Sequence, residues 1–108
     1  MWVIMLKQKQ IVERPAGIGE VTRDDKVIAT VKYSLEVTQD LISNGMGEFR
    51  LSTRDVNGQI IVEEGESNLV NGQILILGLA DGRTWPFYAS RGDNHRKVFE
   101  CKSSGYLG

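Results

Sequence analysis

Alternation of apolar and polar positions is the strongest signal in the chain, and it is clearest in VIATVKYSLEVT, Val27 to Thr38. Val27, Ala29, Val31, Tyr33, Leu35 and Val37 fall on one parity, while Thr30, Lys32, Ser34, Glu36 and Thr38 fall on the other. A period of two with many β-branched residues predicts a strand with one buried and one wet face. A straight strand of this length spans roughly 40 Å, so it is expected to coil or bend, as in a barrel.

Shorter stretches follow the same rule. Gly17 to Thr22 leads through the polar turn Arg23-Asp24-Asp25-Lys26 into the long strand and predicts a first hairpin. Glu48 to Arg54 alternates again, and Asp55-Val56-Asn57-Gly58 predicts a tight reversal, because Asn-Gly takes the positive φ angles of a type I′ turn. Gln59 to Glu64 then returns. Asn71-Gly72 marks another turn before QILILGLA, which is apolar on both parities and predicts a central or barrel-lining strand. Ala80-Asp81-Gly82-Arg83 signals a further hairpin, with Thr84 to Ser90 pairing back and Arg96 to Lys102 as the last strand. Trp2 to Val12 supplies a strand at the start, and a helical turn is conceivable only over Val37 to Asn44.

These elements amount to about seven or eight strands with at most one short helical turn. The prediction is an all-β chain, a single small antiparallel barrel or two-sheet sandwich over residues 1–108. A length of 108 residues leaves no room for a second independent core.

Composition narrows the classes of function more than it names one. Thirteen basic and fourteen acidic side chains leave a formal charge of −1, with no basic stripe, which makes nucleic acid an unlikely partner. The single cysteine, Cys101, excludes an intramolecular disulfide and makes the cytoplasm the expected compartment. MWVIML is too short for a signal peptide or a membrane span, so no membrane association is expected. No cofactor and no metal site is expected. Glu63-Glu64-Gly65-Glu66 lacks the ligand spacing of an acidic calcium loop, and Gly17-Ile18-Gly19 lacks the third glycine and helix of a dinucleotide loop. In a strand such glycines serve a bulge, a corner or a close backbone approach.

Candidate chemistry is sparse. His95, the only histidine, could act as a general base with Asp93 or Glu100, but it lies in a polar stretch expected to be a solvated loop. Arg91-Gly92-Asp93 reads as a turn with a charged rim. Phe99 and Cys101 share a parity, so Cys101 is expected to be a small core residue. In RTWPFYASR, Arg83, Trp85, Phe87 and Ala89 share one face, while Thr84, Pro86, Tyr88 and Ser90 share the other. Pro86 cannot donate to a ladder, which suggests an edge strand, a bulge, or a nitrogen turned from its partner. Trp85 is expected inward and Tyr88 outward. Arg83, Trp85, Tyr88, Arg91 and His95 are the candidate ligand- or partner-binding residues, with no catalytic residue assigned. The expected function is a non-catalytic binding module for a small apolar or aromatic ligand or a protein partner, including a second copy of the chain. A small hydrolase or isomerase using His95 is the alternative.

Overall fold

The computed structural model describes residues 6–43 and 49–108, with side-chain environments for 9–40 and 54–108. Seven strands follow one another: β1 (Leu6–Glu13), β2 (Ala16–Arg23), β3 (Lys26–Ser43), β4 (Phe49–Gly65), β5 (Leu75–Gly78), β6 (Thr84–Asp93) and β7 (Val98–Ser103). Every pairing is antiparallel. Around the ring, β2 pairs β3, β3 pairs β4, β4 pairs β7, β7 pairs β6, β6 pairs β5, and β5 returns to β2. The ladder therefore closes, and the chain is an all-β barrel rather than a pair of open sheets.

β3 and β4 outrun this ring. Residues 37–43 of β3 pair with β1 on the side that β2 occupies earlier, and residues 49–56 of β4 stay paired with β3 after β7 has ended. A three-stranded arm thus extends from the barrel, giving extents of 58 × 26 × 22 Å. The helical turn conceivable from Val37 is absent, since β3 remains laddered on both sides through Ser43. Asn44 to Glu48 and Trp2 to Met5 lie outside the described residues.

Within the barrel, alternation sets the core. Ala29, Val31, Tyr33, Leu35 and Val37 of β3 point inward against Val56, Ile60 and Val62 of β4. Trp85 and Phe87 of β6, Phe99 and Cys101 of β7, and Leu75 and Leu77 of β5 complete the filling. Leu69, on the connection between β4 and β5, is 1% exposed and joins the same cluster. An eight-stranded ring is just wide enough for side chains, so six strands leave room for side chains alone.

Two local expectations, for Val27 and for Asp55 to Gly58, fail for identifiable reasons, and two others resolve among the options the sequence left open. Val27 is 58% exposed rather than inward, because a register shift between Val21 and Thr22 pairs Thr22 with Val27 and leaves Ile28 to pack against the core. Asp55 to Gly58 makes no reversal. Asn57 pairs with Glu36 on one side and Lys102 on the other, so β4 runs straight through. Gly58 serves close approach instead, since a Cβ there would lie 2.5 Å from the Ser34 carbonyl oxygen. QILILGLA gives the four-residue β5, which lies between β2 and β6 and lines the barrel through Leu75 and Leu77, as expected, while its other face is open. Pro86 is not on an edge strand, as β6 lies between β5 and β7, and the β6 bulge falls later, between Ala89 and Arg91. The Pro86 carbonyl accepts from Ser104 N–H at 2.9 Å, so its nitrogen points to that same side, past the end of β7 and away from β5.

The two-residue turn with positive φ is found at Asp24 and Asp25, with φ of 51° and 65°, between β2 and β3. At Gly19 an added Cβ would collide with the Gly78 carbonyl, which fits the expected close backbone approach. One consequence can be checked by substitution. Asn57→Val places a β-branched residue at an exposed strand position and is expected to shift stability by no more than about 0.5 kcal/mol in urea unfolding. A large loss would indicate a turn there.

Candidate binding surface

Trp85 and Phe87 stack in the core with ring centroids 5.3 Å apart and planes 18° from parallel. Trp85 Nε1 donates to Ser103 Oγ at 3.1 Å, and that hydroxyl donates to the Gly105 carbonyl at 2.6 Å. The indole nitrogen is thereby satisfied inside the fold, so Trp85 is a structural side chain and presents no recognition surface. Tyr33 plays a similar part, accepting from Ala80 N–H at 3.0 Å.

Arg83 caps one end of the barrel. Its Nη1 and Nη2 meet Glu13 Oε1 and Oε2 at 2.9 and 2.7 Å, and its Nε meets Asp81 Oδ2 at 2.8 Å. The hydrogen bonds from this guanidinium hold the Glu13 and Asp81 carboxyls below their ordinary values, and the Arg83 backbone N–H adds to the effect at Asp81. The arm strand β1 is thus tied to the β5–β6 turn. Beside it lies a space of about 90 Å³ edged by Arg54, Arg83 and Leu107, the volume of a few water molecules. Both arginines there are already engaged, Arg54 through Gln39 at 2.8 Å.

Arg91-Gly92-Asp93 forms the end of β6. Arg91 makes a two-pronged contact with Glu100 on β7, at 2.6 and 3.0 Å, which lowers the Glu100 carboxyl pKa and raises that of Arg91. A Cβ on Gly92 would run into the Phe99 ring. Asp93 Oδ1 accepts from the backbone N–H of His95 at 2.9 Å and of Arg96 at 3.3 Å, closing the turn to β7. Each member of the tripeptide has a structural task.

His95 sits exposed on that turn. Asp93 is turned to the backbone and Glu100 to Arg91, so neither carboxylate is brought into a cleft with the imidazole. Cys101 is 2% exposed, and burial pushes its thiol up to about 12. Among the described residues, no three His, Cys, Asp or Glu side chains gather in a manner suited to a metal ion.

The outer wall is different. Register aligns Glu36 of β3, Asn57 of β4, Lys102 of β7 and Tyr88 of β6 in one outward row. These side chains, with Gln59 and Asp55, line an open cleft of about 820 Å³. On the far side of Tyr88 the wall becomes apolar. Ile76 of β5 stands opposite Pro86, and Ile74, just ahead of β5, shares the parity of Ile76. Ile74 is 61% exposed, Ile76 36% and Tyr88 38%.

Of the candidate residues, Tyr88 is the one that itself lines this cleft. Arg83 and Arg91 are engaged in ion pairs, Trp85 is interior, and His95 lies on a separate turn. Ile74 and Ile76 were not singled out from the sequence. Their signal was there, since they share a parity opposite Leu75 and Leu77, but an all-apolar stretch does not say which parity faces out.

No protein-family model matches this sequence, no curated protein is significantly similar to it, and no solved structure matches its fold. No helix among the described residues is long and apolar enough to cross a membrane.

Two measurements test these environments. Glu13 and Asp81 titrate below their ordinary values of 4.5 and 3.8, so what they contribute is complete above those values and is lost as pH falls through the lowered ones. In Arg83→Met, urea midpoints recorded from pH 7 to pH 3 are expected to fall less steeply below pH 4.5 than in the parent chain. Cys101 is expected to resist a thiol-alkylating reagent at pH 8 in native buffer and to react fully in denaturant.

Proposed function

We propose that the chain is a non-catalytic binding module, and that it engages a protein partner through the outer wall centred on Tyr88. The observation that carries this reading is the exposed set Ile74, Ile76 and Tyr88, around a half-buried Pro86, beside the polar cleft of Glu36, Asn57 and Lys102. An apolar, aromatic-centred patch with a charged and amide-rich border has the anatomy of a protein interface. Monomer surfaces seldom expose contiguous apolar patches without a binding role.

Two features favour a partner on the wall over a small ligand inside. The interior is occupied by Trp85, Phe87, Phe99 and the aliphatic residues around them. The residues with most chemical potential are committed elsewhere, Cys101 to the core and Asp93 to its turn. Tyr88, which lines the cleft, supplies a rigid, amphipathic side chain of the kind enriched at interfaces.

Replacing Tyr88 with a photo-crosslinking phenylalanine analogue in the native host tests the reading. A discrete adduct is expected at position 88 and none at a control position such as Glu63, and an adduct of twice the chain's mass identifies a second copy as the partner. Ile76→Asp is expected to abolish the adduct while leaving the melting temperature within a few degrees of the parent. Absence of an adduct at position 88, or equal labelling at Glu63, sinks the proposal.

A further inference from the structure

Three Asn-Gly pairs occur in the sequence: Asn44-Gly45, Asn57-Gly58 and Asn71-Gly72. The first lies outside the described residues. The other two have identical local chemistry and opposite environments. Asn57 lies inside β4, with neighbours laddered on both flanks, Glu36 and Lys102. Asn71 lies exposed at a bend in the connection between β4 and β5. Gly72 has a φ of +76°, and a Cβ built on it meets nothing within 4 Å.

We infer that Asn71 is a site of spontaneous, non-enzymatic deamidation, and that the fold itself protects Asn57 from the same reaction. Hydroxide removes the proton of the Gly72 backbone nitrogen, which attacks Asn71 Cγ. A nitrogen–carbon bond forms, the bond from Cγ to the amide nitrogen breaks, and that nitrogen takes a proton from water and leaves as ammonia. The product is a cyclic imide. Water then opens either of its carbonyls, giving aspartate or isoaspartate at position 71.

Three features of the bend favour the step. Glycine offers no side chain to obstruct the attacking nitrogen. Among the described residues, the Gly72 N–H donates to no backbone carbonyl, so freeing it breaks no rung. The carbonyl under attack, Asn71 Oδ1, already accepts from Gln73 N–H at 3.1 Å, and this donor stabilises the negative charge that develops on the oxygen. At Asn57 the same ring closure requires the β4 backbone to rotate out of two ladders at once. Asp81-Gly82, the acidic counterpart, is restrained differently, because its carboxylate is ionised and held by Arg83, which makes a poor electrophile.

The reaction matters to this fold because of where it occurs. Asn71 N–H donates to the carbonyl of Leu69, the buried residue of that connection, and Ile74 of the exposed wall follows three positions later. Isoaspartate diverts the main chain through an extra methylene, and either product adds a negative charge beside an apolar surface.

Incubating the purified full chain at pH 6 and pH 9, followed by peptide mapping that separates aspartate from isoaspartate, tests the inference. Conversion in native buffer is expected to be at least about tenfold faster at Asn71 than at Asn57, faster at pH 9, and richer in isoaspartate. In urea the two rates should converge, since only the fold distinguishes them. Equal native rates at the two positions overturn the inference, as does an Asn71 that converts more slowly folded than unfolded by the factor seen for Asn57.

Discussion

Pairing of β4 with β7, together with that of β2 with β5, is the constraint on which the structure rests. β2–β3–β4 and β5–β6–β7 are two meanders that local turns can build separately. Neither can bury its apolar face alone. Once Gly58 meets Cys101 and Val21 meets Leu77, the two curved sheets become one wall, and the inward parity of every ring strand is enclosed. Trp85, Phe87 and Phe99 are then held among neighbours from both meanders. Closure also covers the edges of the ring where its strands pair, while β1 and the far half of β4 form the edges of the arm.

A narrow closed ring has little interior to offer, and that directs attention outward. Side chains that would carry chemistry on another scaffold serve here to shape turns and fill space. Asp93 closes a turn, Arg83 ties the arm to the β5–β6 connection, and Cys101 packs opposite Gly58. What remains uncommitted is surface, and on the Tyr88 wall its apolar and polar halves adjoin.

Most of the ring was legible in the sequence, because one-sided burial imposes a parity that cannot slip without turning every side chain over. β3 shows this over five consecutive inward positions, and Phe99 with Cys101 shows it in β7. Asn57-Gly58 was misleading because a strong turn dipeptide was overridden by ladders on both flanks, while the turn with two successive positive-φ residues carries aspartates and no glycine. Pro86 was ambiguous for a different reason: whether its nitrogen needs an acceptor depends on where β7 stops. The outward placement of Tyr88 followed from alternation with Trp85 and Phe87. The exposure of Ile74 and Ile76 did not, since it depends on long-range register with Pro86 and Thr22.

The shortest strand has a mechanical implication. β5 holds the ring shut against β2 through three registered pairs, Glu20 with Gly78, Val21 with Leu77 and Thr22 with Ile76. β3 and β4, by contrast, are joined along nearly their whole length. The barrel thus has a seam, and the seam joins strands that are far apart in sequence, so it closes late in folding. Thermal breathing should begin there, parting β2 from β5 while the long β3–β4 ladder stays intact. The wall that carries Ile76 is one lip of that seam, so its exposed face and the opening of the ring share the same strand.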